Sequence, residues 1–304
     1  MLICRPAALF AAIMGLVLLP APASGPISDP ATLQANPQDA AVPDANAVAQ
    51  DNAVAPDTDE QRIDDLVIAN HILFDQGVLD AYGHVSVRSV RNPSHYFLSR
   101  SRAPGLVTKA DIMEFDQDSN PIDQRGRPMY SERFIHGEIY RARPDAQAVV
   151  HCHSPAVIPF GVTGVPLRPI IHMAGFLPQR VPTFEIRDVE GPGNGMLVQN
   201  KTTGAAVARA LGPSSVVLMR GHGMAVVGPS VRHAVFRAIY TQLNAQVELE
   251  SLKLGQVVFL NPVEAAKVDV VNEGSLLSAN PRQWRLWQAQ AEAHSGRHDP
   301  GTAK

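Results

Sequence analysis

The chain has 304 residues, of which 45% are hydrophobic and 18% are charged, so it can bury the core of one large domain or of two small ones. Its net charge of −3 is accompanied by no basic stripe and no arginine-rich run. Because binding to a nucleic-acid backbone requires such positive charge, we expect no nucleic-acid partner.

Residues 1–23 have the features of a cleaved secretory signal. Arg5 precedes the apolar run 7–19, and the small residues Ala21-Pro22-Ala23 follow at the spacing that a signal peptidase reads. This run is shorter than the roughly 20 apolar residues that cross a bilayer. We therefore expect export to the periplasm or the cell exterior, with no membrane contact after cleavage.

Of the two cysteines, one lies in the predicted signal and the other in the mature chain. Cys4 would leave with the signal, and Cys152 alone can form no intramolecular disulfide. Stability must then come from packing and from any metal that the chain binds.

The rest of the chain divides into three predicted parts. Residues 24–58 are rich in Ala, Pro, Asp, Gln and Asn and have no aromatic residue, which predicts a flexible leader. A catalytic domain is predicted over residues 59–276. Residues 277–304 are predicted to form a C-terminal helix and tail, with Trp284 and Trp287 docked on the core or on a neighbouring subunit.

Hydrophobic periodicity and turn residues predict a mixed α/β order with an antiparallel component. The predicted elements are a helix at 60–77, strands at 85–90, 96–99 and 112–116, a helix at 131–143, a strand at 146–153, a helix beginning within 154–163, a helix at 202–211, strands at 215–219 and 224–227, and helices at 231–254 and 281–293.

Three histidines have a pattern that suits a metal site. His151 and His153 alternate along a predicted strand, so both imidazoles project to one face while Cys152 points to the other. His222 lies between Gly221 and Gly223, which allow a tight turn that brings its side chain close to another element. Alone, the His-x-His pair also fits histidines that are packed in a core or exposed, and the glycine-bracketed histidine also fits a simple turn residue. Together they predict three ligands of a zinc-like site.

A fourth ligand is sought among the carboxylates. Glu132 and His136 lie four residues apart on one face of a predicted helix, so either can turn toward the metal. The residues alone leave this choice open.

The ordered combination of motifs resembles the class II aldolase and adducin family over about residues 60–258. The motifs are Ser131-Glu132, Arg143-Pro144-Asp145, the strand segment 148–153 with His-x-His, and Arg220-Gly221-His222-Gly223. The resemblance implies a single-domain three-layer α/β/α fold with a mixed central sheet flanked by helices. It also implies a homo-oligomer, taken to be a tetramer.

The resemblance further implies a divalent metal held by His151, His153, His222 and Glu132. In the family the glutamate is a ligand and often a proton acceptor, which gives Glu132 a catalytic role as well. Zinc is the expected ion, and manganese, iron or cobalt also suit histidine and carboxylate ligands.

The sequence departs from the sugar-phosphate aldolases of the family where those enzymes bind phosphate. It has Gly83-His84-Val85-Ser86 in place of a Gly-Asn motif, Ala81 in place of a hydroxyl-bearing residue, and Ser99-Arg100-Ser101-Arg102 in place of Thr-Gly. Two guanidiniums suit a planar carboxylate, so a small carboxylic acid is the expected substrate. The predicted substrate-binding residues are Gly83, Arg100, Ser101, Arg102 and Ser131.

His84 is the second predicted catalytic residue, as a proton donor to a developing carbanion or as a ligand of the leaving carboxylate. The sequence thus favours a metal-dependent carbon–carbon lyase that acts on a non-phosphorylated hydroxy, keto or hydroxyaromatic acid, with decarboxylation ranked above retro-aldol cleavage. The alternatives are a class II sugar(-phosphate) aldolase, a non-heme iron oxygenase, and a non-catalytic adducin-like binding protein.

Overall fold

A computed structural model describes residues 57–278 and 281–295, which fall in one unit of the chain. The signal predicted at residues 1–23 and most of the predicted leader lie outside the described residues. No helix in the described ranges is long and apolar enough to cross a membrane. The helices are α1 Asp59–Asp75, α2 Phe134–Ala142, α3 Ile158–Val162, α4 Arg187–Glu190, α5 Lys201–Leu211, α6 Val231–Leu254, α7 Pro262–Gly274 and α8 Arg282–Ser295.

The strands within these ranges form a seven-stranded sheet in the order β3-β2-β1-β4-β7-β6-β5. They are β1 His84–Arg88, β2 His95–Ser99, β3 Ile112–Asp116, β4 Ala148–Cys152, β5 Thr183–Phe184, β6 Val216–Met219 and β7 Gly223–Gly228. Neighbouring strands are antiparallel except β5 and β6, which are parallel. The predicted strands at 85–90 and 96–99 correspond to β1 and β2, which form a hairpin. Its turn is closed by Asn92, whose side chain accepts from the Ser94 N–H at 3.2 Å.

Helices cover both faces of the sheet, which confirms the three-layer α/β/α arrangement. The alternation of β4 shows how the two cores form, because Val150 and Cys152 join the core beneath α1 and α6, whereas Val149 joins the core beneath α2 and α5. His151 shares the face of Val149. The central strand therefore presents one imidazole toward α2 and buries the Cys152 thiol on the opposite side.

Several elements differ from the predictions in their bounds or were not predicted. The strand predicted at 146–153 ends at Cys152, which leaves His153 just beyond it, and the helix predicted within 154–163 is reduced to α3. The helix α7 is absent from the predicted elements, although Asn261 accepts from the N–H groups of Val263 and Glu264 and so begins a helix with a capping box.

The C-terminal helix α8 docks on the chain's own core. The indole of Trp287 lies 6.2 Å from the Tyr240 ring of α6, measured between ring centroids, and Trp284 is buried. The helix also packs along α1. Of the two positions considered for α8, the structure shows docking on its own core.

Candidate metal centre

Four side chains from separate parts of the chain converge at the end of β4. One ligand atom from each of Glu132, His151, His153 and His222 lies within 4.8 Å of all the others. Oε2 of Glu132 is 3.5 Å from Nε2 of His151 and 3.4 Å from Nε2 of His222, and the Nε2 atoms of His153 and His222 are 3.0 Å apart. Three imidazole nitrogens and one carboxylate oxygen thus face a common centre.

The backbone around His222 explains how a distant turn reaches β4. Gly221 has φ of +65°, a left-handed conformation that glycine adopts readily. A Cβ added at Gly223 would lie 2.0 Å from the Cys152 carbonyl oxygen, so only glycine permits this approach of β7 to β4. The two glycines bring the His222 imidazole to the two histidines of the β4 end.

Backbone carbonyls fix which nitrogen of each imidazole faces the centre. Nδ1 of His151 donates to the Met224 carbonyl at 3.1 Å, and Nδ1 of His222 donates to the Met196 carbonyl at 2.7 Å. A carbonyl only accepts, so Nδ1 carries the hydrogen in both rings, and Nε2 is the nitrogen that is left to bind a cation at the centre. Oriented imidazoles of this kind are typical of metal ligands.

The Glu132 carboxylate is ionised in this setting. Burial alone would raise the pKa of Glu132, but the adjacent imidazoles of His151 and His222 outweigh burial and hold the pKa far below its usual range. Its other oxygen, Oε1, accepts from the Val198 N–H at 2.9 Å. Burial and the neighbouring histidines lower the pKa of His153 to about 4, so this ring is neutral near pH 7.

The residues present fit a bound cation. Nε2 of His151 is buried and has no hydrogen-bond partner among the described residues, which is costly for a polar atom unless something occupies the centre. Three imidazole nitrogens and one carboxylate oxygen form a ligand set that zinc and related divalent ions accept. The four groups can therefore hold such an ion.

His136 does not face this centre, so of the two candidates for the fourth position Glu132 occupies it. His136 is fully buried, and its Nε2 lies 2.6 Å from Nδ1 of His84 while its Nδ1 lies 2.6 Å from Oγ of Ser86. Ser86 continues the chain of contacts to the Tyr140 hydroxyl at 2.8 Å. His136 thus contacts the His84 ring and not the four converging side chains.

His84, the second predicted catalytic residue, lies in a strand beside the four converging side chains. It is the first residue of β1, is 3% exposed, and pairs in register with His151 on β4. The two rings are 5.2 Å apart between centroids. Burial, followed by the neighbouring imidazoles of His136 and His151, holds the pKa of His84 well below its usual range, so the ring is neutral.

The arginines predicted to bind a carboxylate are partly engaged within the protein. Nε of Arg100 lies 2.5 Å from Oδ1 of Asp111, and a terminal nitrogen of Arg102 lies 3.3 Å from the same oxygen. Arg88, another arginine of the hairpin, is buried and donates to four backbone carbonyls, so it has a structural role. Of these three, Arg102 lines an open cleft, of about 1120 Å³, beside Phe74.

The other predicted substrate-binding residues are Gly83, Ser131 and Ser101, and each has either a backbone role or an exposed position. Gly83 has φ of +84°, and a Cβ there would lie 2.8 Å from the His151 carbonyl oxygen, so it allows β1 to approach β4. Ser131 is exposed and begins the 3₁₀ turn that carries Glu132. Ser101 is exposed, and its N–H donates to the Pro128 carbonyl at 2.8 Å.

Two tyrosines near the centre are absent from the predicted site. The Tyr130 ring lies 4.5 Å from the His84 ring, and the exposed Tyr82 ring lies 6.3 Å from that of His153, both measured between centroids. Each tyrosine lies two residues before a predicted catalytic residue, and that spacing is the signal that would have found it.

Comparison with known proteins agrees with this geometry. The chain matches the family described as "Class II Aldolase and Adducin N-terminal domain" over residues 64–249. It is 38% identical over 245 residues to "Decarboxylase tropJ" of Talaromyces stipitatus, which covers 73% of this chain and 91% of that protein. It is 31% identical over 205 residues to "3,4-dihydroxyphthalate decarboxylase" of Arthrobacter keyseri, with 62% and 78% covered.

A solved structure shares the fold. L-fuculose 1-phosphate aldolase from Glaciozyma antarctica superposes with a TM-score of 0.62 at 23% identity, covering 78% of this chain and 90% of that one. The family match extends over more than half of the chain and includes all four converging side chains. The chain belongs to the class II aldolase and adducin family.

Proposed function

We propose that the chain is a divalent-metal-dependent decarboxylase of a non-phosphorylated hydroxy, keto or hydroxyaromatic carboxylic acid. Lyase chemistry is supported by the two relatives, both of which are named decarboxylases, and one of these is named for a dihydroxyphthalate, which is a hydroxyaromatic acid. The observation that carries the proposal is the convergence of three imidazole Nε2 atoms and one carboxylate on a common centre.

Decarboxylation breaks the bond between the carboxyl carbon and its neighbour, and the electron pair stays on the neighbouring carbon. Carbon dioxide leaves, and a proton must then reach that carbon. A divalent cation held by the four side chains would draw electron density from adjacent substrate oxygens and so stabilise the negative charge. The protein must hold the substrate oxygens there and supply the proton.

His84 is the residue assigned to the proton step. Its Nδ1 is engaged by His136, which leaves Nε2 for the substrate, and the ring lies beside His151. A neutral imidazole donates or accepts at Nε2 according to which nitrogen carries the hydrogen. His84 delivers the proton from Nε2 to the carbon that has lost carbon dioxide and takes up a proton at Nδ1 from Nε2 of His136, which regains one at Nδ1 from the Ser86 hydroxyl. Glu132 holds the negative charge of the ligand set.

Arg102 is assigned to the substrate carboxylate. Its backbone N–H donates to the Tyr130 hydroxyl at 3.3 Å, and Tyr130 lies beside His84, so the Arg102 backbone is one side chain removed from the assigned proton donor. A guanidinium favours a planar carboxylate over other anions. The cleft that Arg102 lines also has the apolar walls of Phe74 and Leu106, which suit an aromatic acid.

Metal analysis followed by a substrate screen tests the proposal. The wild-type protein should contain about one divalent ion per chain, and His151→Ala should lose both the ion and activity. His172→Ala removes an exposed imidazole and is the matched control that should retain both. Mass spectrometry with candidate acids should detect a product lighter by carbon dioxide.

Other results would contradict the proposal. If His151→Ala kept the full metal content of wild type, the proposed metal centre would be wrong. If the protein acted only on a phosphorylated substrate and released an aldehyde, the reaction would be aldol cleavage and not decarboxylation. Oxygen consumption in step with product would instead indicate an oxygenase.

A further inference from the structure

One loop contacts two of the four converging side chains through backbone atoms. Residues 191–198 contribute the Met196 carbonyl that accepts from Nδ1 of His222 at 2.7 Å. They also contribute the Val198 N–H that donates to Oε1 of Glu132 at 2.9 Å. This loop lies between α4 and α5 and is absent from the predicted site.

The ends of the loop are tied together by side chains. Asn200 donates from Nδ2 to Oε1 of Glu190 at 3.2 Å, and the Thr203 hydroxyl donates to the same carboxylate. The Asn200 side chain also accepts from the Thr203 N–H at 2.9 Å and so caps α5. The loop therefore leaves and enters regular structure at fixed points.

Asn194 organises the interior of the loop. It donates from Nδ2 to the Gly191 carbonyl at 2.6 Å and accepts at Oδ1 from the Met196 N–H at 2.9 Å. This bond holds the peptide group that precedes Met196, and the backbone angles of Met196 then set the direction of its carbonyl toward His222.

Met196 has a left-handed backbone conformation, with φ of +60°. This conformation is uncommon for a residue other than glycine, asparagine or aspartate, and it is a true outlier for a β-branched residue. The Met196 side chain packs beside the His222 turn, because its Cε would lie 3.1 Å from a Cβ added at Gly221. A strained residue is thus retained next to a ligand of the centre, which is a position where such strain commonly has a function.

We propose that residues 191–198 position the metal centre, with Met196 and Asn194 as its positioning residues. The left-handed conformation at Met196 points its carbonyl at Nδ1 of His222, which keeps Nε2 of His222 directed to the cation. The same loop holds Glu132 through the Val198 N–H. Cation binding and loop order are consequently linked, because each favours the same arrangement of His222 and Glu132. This inference rests on the proposed metal centre.

The test changes the backbone preference at residue 196 and measures metal binding. Met196→Val disfavours a positive φ and should weaken binding of Zn²⁺ by about 10- to 100-fold, the usual effect of losing an outer contact of a metal ligand. Met196→Gly permits the same φ and should bind within about 3-fold of wild type. Leu277→Val introduces the same β-branched residue at an exposed position outside the loop and is the matched control.

Two readouts apply besides activity. Dissociation constants come from competition with a chromophoric chelator, and the visible spectrum of the Co²⁺-loaded protein reports the ligand geometry. The Met196→Val spectrum should change while the Met196→Gly and Leu277→Val spectra match wild type. Wild-type affinity in Met196→Val, or equal losses in Met196→Gly and Met196→Val, would overturn the inference.

A second experiment tests the inference even if Met196→Val fails to fold. Hydrogen exchange of wild type should show the Val198 amide more protected with Zn²⁺ than without it, and Asn194→Ala should reduce that gain. Unchanged protection would overturn the inference while leaving the centre intact. If His151→Ala bound Zn²⁺ as tightly as wild type, the metal centre itself would be wrong, so the two failures are distinguishable.

Discussion

Glu132 carries the negative charge of the candidate centre, and its replacement tests that charge directly. Glu132→Gln keeps an oxygen that can accept from the Val198 N–H but removes the ionised group between His151 and His222. We expect metal affinity to fall by at least 10-fold and activity to fall with it. Competition with a chelator measures the affinity. Glu114→Gln, a neutralised carboxylate on β3, should bind metal as wild type does.

His84 should separate catalysis from metal binding. His84→Asn removes the assigned proton donor, so kcat should fall by about 10²- to 10⁴-fold while the metal content remains that of wild type. Ser86→Ala, which removes a contact of His136 one step further away, should have a smaller effect on kcat. An unchanged kcat in His84→Asn would remove His84 from the chemistry.

The sequence predicts some of these positions better than others. The shared face of His151 and His153 follows from local alternation, which needs no knowledge of the rest of the chain. The choice between Glu132 and His136 does not, because it assumes that both lie on one regular helix. Glu132 instead lies in a 3₁₀ turn with φ of −92° and ψ of 15°, just before α2 begins, and this break gives the two side chains different partners.

At the scale of elements, α6 contains a buried acid that should make stability depend on pH. Glu248 is fully buried, accepts from the Arg168 N–H at 3.0 Å, and has a second oxygen without a hydrogen-bond partner in the described residues. Burial raises its pKa to about 7. The folded state thus favours the protonated form, so this contribution is complete below about pH 4.5 and is lost as pH rises through 7.

Glu248→Gln should remove that dependence. The variant should gain stability relative to wild type as pH rises from 5 to 8, by on the order of 2 kcal/mol in the free energy of unfolding measured with urea. Glu250→Gln changes an exposed acid on the same helix and should follow the wild-type pH profile. A constant difference between Glu248→Gln and wild type across this range would contradict the prediction.

The helix α8 contributes to stability through its indoles. Trp287 is 7% exposed and packs near Tyr240 of α6. Trp287→Ala should lower the free energy of unfolding by about 3 kcal/mol, because it removes a large buried side chain and leaves a cavity. Urea denaturation checks this value. The exposed Leu286, one residue earlier, is the control, and Leu286→Ala should change stability by less than about 1 kcal/mol.

Elements with strong periodicity were predictable, and those that depend on distant contacts were not. Alternating apolar residues identify β3, and the helix at residues 231–254 agrees with α6 at both ends. The short strand β5 is defined by its pairing with β6 rather than by its own residues. The loop at residues 191–198 acts through a carbonyl and an N–H, which every sequence possesses, so composition gives no sign of it.

At the scale of the whole molecule, export remains a prediction. A protein isolated from the periplasm or the medium should begin near Ser24, because the small residues before it form the expected cleavage site. Intact-mass measurement on the secreted material checks this. Replacing Ala23 with lysine should leave the precursor uncleaved, and a mature protein that still begins at Met1 would contradict the assignment.

The homo-oligomer, taken to be a tetramer, also remains a prediction. Light scattering at working concentrations should give a multiple of the mature chain mass. A monomer with full activity would show that one chain contains the whole site.

The alternation of β4 has a further consequence for the reactivity of the groups around the candidate centre. Thiolate is among the strongest zinc ligands, yet Cys152 sits between the two imidazoles with its sulfur sealed in the other layer, and burial raises the pKa of its thiol to about 12. The centre is consequently built from groups that oxidants and thiol reagents attack slowly. Cys152, the only cysteine in the described ranges, stays unreactive for as long as the sheet is folded.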